Sequence, residues 1–305
     1  MSPDKVITLS DKRHDLPFSK GLLAQSFTSI GVSPSKAYSI AIAIQQDLRD
    51  RDELSVSMQR LRALATDALG KMAGEPYAIR YRKLYELSKL DRPLVVLIGG
   101  TTGVGKSTIA TEVAHRLGIT RIMSTDSIRE VMRGIFTRDL MPAIYESAFN
   151  AWRGLRVPVP HGANPVIVGF REQTAAVTTA VKSLIERSVL EGDSLVLEGV
   201  HLVPGYIGAG QFKNARIVQL VIGVADEDVH RSHFYIREVQ TDGVRPFERY
   251  RANFGNIRVL GSYIEDMAHE HGIPVLMSHQ LDDTIADVIE HIVNSAIEEE
   301  YDAHG

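Results

Sequence analysis

The run Gly100-Thr101-Thr102-Gly103-Val104-Gly105 ends in Lys106, Ser107 and Thr108. Its spacing is G-x-x-x-x-G-K-[ST], and each residue type has a chemical reason to be there. Glycines let successive backbone N–H groups converge on an anion without Cβ clashes. A helix that begins at the lysine adds unpaired N–H groups and the positive end of its dipole. A loop built this way grips the phosphates of a nucleotide. Lys106 reaches the β- and γ-phosphates of ATP in such a loop, Ser107 holds Mg2+, and Thr108 approaches the α-phosphate. A plain turn with a solvated lysine would need none of this order.

Two carboxylates follow other apolar runs. "SLVLEGVHLVPG" places Glu198 at a strand end, with His201 just beyond. A single acidic residue there suits a small-molecule kinase better than the Asp-Glu pair of a motor ATPase. No guanine-reading Asn/Thr-Lys-x-Asp follows a late strand, which argues against a GTPase switch. Glu198 would orient the metal with its water, or the acceptor. Earlier in the chain, "STD" ends the second strand, "TRIMS", in Asp126, and Arg129 and Arg133 follow at i+3 and i+7, on one helix face. This pattern offers a carboxylate to an acceptor hydroxyl and guanidiniums to an anionic group, and His201 is placed with them as a substrate contact. The competing reading makes Asp126 or Ser127 a helix cap, with Ser127 and Glu130 as a capping box. From His230 to Arg258 the chain is rich in Arg and His, the composition of a lid over a triphosphate. Arg231 and Arg237 are the first candidates to meet charge in the transition state. Arg245, Arg249 and Arg251 come second.

These side chains need a scaffold, and the flanking pattern supplies one. "LVVLIGG", "TRIMS", "SLVLEG", "RIVQLVIGV" and "IPVLMS" are apolar strands alternating with helices, notably one from Lys106 to Leu117 and one from about Thr174 to Leu190. Uninterrupted apolar strands between helices predict an α/β fold, a parallel sheet covered by helices on both faces. Residues 138–170 read as irregular, a wall for a substrate pocket. The first 90 residues read differently, as a small, mainly helical domain after an N-terminal strand in "VITL". Its helices are expected from Lys20 to Ile30 behind a Ser19 cap, from Pro34 behind Ser33, and through Met58 to a stop at Gly70. Pro93 marks the boundary, giving domains 1–90 and 91–305.

The bulk numbers narrow the classes. With 305 residues, 44% of them hydrophobic and 24% charged, the chain can build a sizeable core. A net charge of −4 argues against a nucleic-acid partner held by bulk charge. The absence of cysteine removes disulfides, thiolate nucleophiles and cysteine-bound zinc, and fits a cytoplasmic setting. The first residues are charged where a signal peptide would be apolar, and no apolar run approaches the roughly 20 residues of a membrane span. The number of copies is left open, a homo-oligomer included.

The stretches "LPFSKGLLAQSFTSIGVSPSKAY", "IGGTTGVGKSTIATEVAHRLGI", "STDSIREVMR", "YESAFNAWR", "LVLEGVHLVPG" and "HRSHFYIRE" together resemble the 2-phosphoglycerate kinase family. The glycine loop is shared by a very large superfamily, whereas "STDSIREVMR" and "EGVHLVPG" are far more particular. The resemblance implies a P-loop NTPase fold of the kinase type. It also implies ATP-dependent phosphorylation of 2-phosphoglycerate at its free hydroxyl, giving 2,3-bisphosphoglycerate. Residues 1–90 look like the ATP-cone module that accompanies this family. Two other functions stay open at this level. One is a P-loop kinase for another small phosphorylated acceptor. The other is an ATP-sensing regulatory protein without transfer activity.

Overall fold

The computed structural model describes residues 7–10, 15–87, 89–240 and 247–304. The chain divides into two compact units, Met1–Lys89 with Glu300–Gly305, and Leu90–Glu299.

The first unit holds β1 (Thr8–Ser10), β2 (Asp15–Pro17), α1 (Lys20–Thr28), α2 (Pro34–Asp50), β3 (Ser55–Ser57), α3 (Met58–Met72) and α4 (Glu75–Leu87). The strands make a small sheet in the order β2-β1-β3, with β1 antiparallel to β2 and parallel to β3. The sequence pattern predicts only the first of these strands, because strands of three residues carry too little alternation to read. Ser19 caps α1 by accepting from Leu22 N, and the helix stops at Thr28, two residues short of Ile30. α3 runs past Gly70 to Met72, since Leu61, Ala65 and Leu69 bury one continuous stripe and packing overrides a single glycine's low propensity. The core gathers around Phe27, Ile40, Leu48 and Leu69. Lys12 and Arg13, the basic edge that the resemblance to an ATP-cone suggests for this unit, lie outside the described residues.

The second unit is the α/β fold. Its strands are β4 (Leu94–Gly99), β5 (Arg121–Ser124), β6 (Leu195–Glu198), β7 (Arg216–Gly223) and β8 (Val275–Met277). They form one sheet in the order β5-β6-β4-β7-β8, and every pair is parallel. β4, β6 and β7 are buried at every residue, as strands covered on both faces must be. The connecting helices are α5 (Lys106–Leu117), α6 (Thr125–Ile135), α7 (Pro165–Glu191), α8 (Glu227–Gln240), α9 (Phe247–Arg251), α10 (Phe254–Glu270) and α11 (Leu281–His304). α7 opens nine residues earlier than Thr174, with Asn164 accepting from Val166 N and Pro165 at its first position. The irregular wall is correspondingly shorter, and two 3-10 turns, Pro142–Tyr145 and Ala148–Gly154, order it.

The topology chooses the place for chemistry. From β4 the chain goes first to the β5 edge, returns to β6, and then crosses to β7 on the other side of β4. The strand order therefore reverses around β4, and ligands of open α/β sheets sit beyond the carboxyl ends of the strands at such a reversal. No helix among the described residues is long and apolar enough to cross a membrane.

Candidate active site

Strand register aligns the key residues. Ile98 pairs with Glu198, and Glu198 pairs with Ser124. The loop that follows Gly99, the carboxylate of Glu198 and the residues after Ser124 therefore leave the sheet at one level, at one end.

The glycine-rich loop runs from Gly100 through Thr101, Thr102, Gly103 and Val104 to Gly105, directly into α5. Gly103 takes φ +91, and a Cβ there would lie 2.4 Å from Phe234 Cζ. Both the backbone angle and the packing require glycine. Lys106 is 8% exposed, and its Nζ donates to Thr101 O at 2.6 Å. Burial lowers the pKa of this ammonium, while the nearby Glu198 and Asp126 carboxylates work to raise it. Thr101 Oγ1 in turn donates to Ile257 O at 3.0 Å, tying the loop to α10. Ser107 and Thr108 are exposed on the first turn of α5.

Glu198 is buried and accepts from Ser107 Oγ at 2.9 Å. It faces the phosphate loop rather than solvent. Among the described residues no group of three or more His, Asp or Glu side chains could hold a metal. Ser107 and Glu198 are nonetheless hard oxygen donors beside the loop. Mg2+ in phosphoryl-transfer sites is held by one or two protein oxygens with nucleotide oxygens and water completing the shell, and this donor set fits it.

Asp126 and the helix cap are now separable. Ser124 caps α6, accepting from Ser127 N at 3.0 Å. Neither Asp126 nor Ser127 does, because the helix begins one residue before Asp126. The Asp126 side chain is 70% exposed, and its Oδ1 lies 3.5 Å from Arg129 Nη2. The other guanidinium nitrogen, Arg129 Nη1, donates to Ile144 O at 2.9 Å and Glu146 O at 2.7 Å. Arg129 therefore braces the wall and faces Asp126 at once. Arg133 points elsewhere: it pairs with Glu130 at 2.6 Å and lies 5.1 Å from the centre of the Tyr145 ring.

His201 departs from the expected substrate contact. It is completely buried, with Nε2 2.9 Å from Gln173 Oε1 and Nδ1 2.9 Å from Thr125 Oγ1. Gln173 Nε2 donates to Ala143 O at 2.6 Å and Glu146 O at 3.0 Å, so its oxygen is the atom that faces the imidazole. His201 Nε2 must then carry the proton, and Nδ1 accepts from the Thr125 hydroxyl. Burial drives the imidazole pKa down to about 4, against an opposing pull from Asp126 and with smaller support from Arg129 and Lys106. The ring is a neutral strut linking α6, α7 and the wall. Close packing continues at Gly199, where a Cβ would fall 1.9 Å from Thr125 Oγ1.

The lid candidates divide. Arg231 pairs with Glu227 at 3.3 Å and lies 4.4 Å from the centre of the Phe254 ring. Arg249 donates to Ser147 Oγ, between the two turns of the wall. Arg251 pairs with Glu248 at 2.7 Å. Arg245 and the side chain of Arg237 lie outside the described residues. Outside this 230–258 segment, the wall's candidate anion contacts Arg153, Arg156, His161 and Arg171 are exposed. Sequence reasoning on this segment singled out the arginines and passed over His230 and His233, whose rings hydrogen-bond the loop carbonyls of Thr102 and Gly103. Their i, i+3 spacing, with Phe234 at i+4, was the available signal.

No family model matches the chain. The 2-phosphoglycerate kinase of Methanothermobacter thermautotrophicus is 39% identical over 289 residues, covering 95% of this chain and 94% of that protein. The 2-phosphoglycerate kinase of Methanopyrus kandleri is 37% identical across 96% of this chain and 89% of that one. The one from Pyrococcus horikoshii is also 37% identical, across 96% and 95%. A solved shikimate kinase from Acinetobacter baumannii aligns with 71% of this chain and 98% of its own at 17% identity and a TM-score of 0.40, a likeness too distant to bear on the site. With identity of this order along nearly its whole length, the chain belongs to the 2-phosphoglycerate kinase family.

Proposed function

We propose that this chain transfers the γ-phosphoryl group of ATP to the free hydroxyl of 2-phosphoglycerate, giving 2,3-bisphosphoglycerate and ADP. The observation that carries the reading is the meeting of Lys106, the Ser107–Glu198 pair and the Asp126–Arg129 pair at one end of the sheet. Family membership supplies the acceptor.

The residues divide the work. Loop amides and Lys106 hold the triphosphate and neutralise charge on its terminal group. Ser107 and Glu198 would hold Mg2+, which would supply positive charge to offset that of the phosphates. Asp126 accepts the acceptor's hydroxyl hydrogen, aims its oxygen at the γ-phosphorus, and takes the proton as the new P–O bond forms and the bond to ADP breaks. The transition state is loose, so aim matters more than basicity. Arg129 keeps the Asp126 carboxylate in place and adds positive charge beside an acidic acceptor. Arg249 stands at the wall as a cation for the same ligand. Arg231, Arg237 and Arg133 remain assigned to the lid and the acceptor, with Arg231 and Arg133 needing to exchange their carboxylate partners to reach it. His201 acts behind this site, by fixing Thr125 and the wall.

The first unit we read as an ATP-cone-like regulatory module, supported by its strands and four helices around a separate core. Removing residues 1–90 and remeasuring inhibition by excess ATP tests that part alone. The acceptor is tested with γ-labelled ATP against a panel of phosphorylated three-carbon acids. Saturable labelling of 2-phosphoglycerate above all others is expected. Preferential labelling of another acid would reassign the acceptor, and hydrolysis that no acid stimulates would replace transfer with nucleotide sensing.

A further inference from the structure

α8 lays one face on the phosphate loop. His230, His233 and Phe234 stand at i, i+3 and i+4 and so share that face. His230 Nε2 lies 2.8 Å from Thr102 O, and His233 Nδ1 lies 2.9 Å from Gly103 O. A carbonyl oxygen only accepts, so both ring nitrogens carry hydrogen and donate. The two carbonyls are consecutive in the chain. In a planar trans peptide the N–H points away from the C=O of the same unit. Holding Thr102 O toward α8 therefore turns the Gly103 N–H the opposite way, and holding Gly103 O does the same for the Val104 N–H. These are the amides at the middle of the loop.

The clamp is itself rigidly backed. His230 is completely buried, stacked on Phe234 with ring centres 5.3 Å apart and edge-on to Phe254 at 5.4 Å. Phe234 stacks on Tyr250 of α9 at 4.7 Å. A Cβ on Gly103 would meet Phe234 at 2.4 Å and His230 Nε2 at 3.0 Å, so the loop and the helix face are in direct contact. Burial lowers the His230 pKa, more than its bond to Thr102 raises it, and keeps the ring neutral. Its Nδ1 has no hydrogen-bond partner, which leaves Nε2 as the nitrogen at work.

We propose that His230 and His233 are positioning residues for nucleotide binding, which fix two consecutive peptide planes so that the Gly103 and Val104 amides face the phosphates. The inference rests on the loop's reading as the ATP site but not on the identity of the acceptor. It gives "HRSHFYIRE" a role other than its arginines' charge. It also makes α8 part of the phosphate cradle.

The test uses the full chain and two pairs of variants. His230→Leu with His233→Leu keeps bulk and removes both donors. His230→Gln with His233→Asn returns an amide N–H near each lost ring nitrogen. Calorimetric Kd values for ATP and ADP are measured with Mg2+, together with KM for the acceptor and the melting temperature. The leucine pair is expected to weaken both nucleotides about tenfold or more, from the loss of two ordering hydrogen bonds. Acceptor KM should stay within about twofold, and the Gln/Asn pair should recover most of the loss. Unchanged nucleotide affinity in the leucine pair would overturn the proposal. So would a Gln/Asn pair as weak as the leucine pair at the same melting temperature. If the leucine pair does not fold, His233→Leu against His233→Asn asks the same question at the half-buried position. A wild-type chain that binds ATP but labels no acid would remove the proposed function and leave this inference standing. A wild-type chain that binds no ATP would remove both.

Discussion

Ser107 Oγ donates to Glu198 Oε1 across 2.9 Å, joining the first turn of α5 to the last residue of β6. The two oxygens come from residues 91 apart in sequence, and strand pairing brings them together. Glu198→Gln keeps the shape and removes the charge. The apparent Mg2+ affinity should fall by about 10- to 100-fold, read as the metal concentration that gives half-maximal rate. An unchanged metal requirement would take Glu198 out of the metal's surroundings.

Asp126 is free to meet a substrate because Ser124 already caps α6. Asp126→Asn should lower kcat by roughly 10²- to 10⁴-fold, the range for a positioned proton acceptor. ATP KM should hardly change. Steady-state kinetics with each substrate varied in turn separates the two. A fall in ATP affinity with kcat intact would instead make Asp126 part of the nucleotide site.

Arg129 does two jobs, and its replacement should show both. Arg129→Ala takes the guanidinium donor from Ile144 O and leaves Glu146 O with Gln173 alone, at a cost of about 1–3 kcal/mol. Denaturant unfolding measures that loss. The acceptor KM should rise more than the ATP KM, because the wall and the Asp126 carboxylate loosen together. Lost stability with an unchanged acceptor KM would leave Arg129 a purely structural brace.

His201 predicts a pH dependence. Its folded-state pKa of about 4 lies below the ordinary histidine value of 6.5. Between these values the unfolded chain holds a proton that the folded chain does not. Stability is therefore lost as pH falls from about 6.5 toward 4, and nothing further is lost from this group below that. The full effect is about 3 kcal/mol. Unfolding curves of the wild type and His201→Gln, taken across this range, should differ by a gap that shrinks by that order at the acid end. A gap independent of pH would mean that the ring is not held neutral.

What the sequence announced was local. The loop, its lysine and the strand before it are contiguous, and α5 spans Lys106–Leu117 as the pattern has it. The five sheet strands were visible as short apolar runs between helices. What depends on distant contacts was hidden. Nothing near His201 in sequence says that Thr125 and Gln173 will enclose it. Arg129 reads as a free cation on a helix face until the wall carbonyls close on it. Asp126 and Ser127 read as caps on paper, and only the backbone shows that Ser124 takes that place. The histidines of α8 lay in a segment whose arginines drew attention, because permanent charge is legible in sequence and a neutral donor aimed at a carbonyl is not.

The central claim is that Lys106 and the loop present a terminal phosphoryl group to an acid's hydroxyl next to Asp126. Phosphorus NMR of the chain with ATP, Mg2+ and 2-phosphoglycerate reads that event directly. A second phosphomonoester resonance should grow on the three-carbon acid as ADP accumulates, and Lys106→Ala should abolish it. Inorganic phosphate as the only new signal, at a rate the acid does not change, would contradict the account.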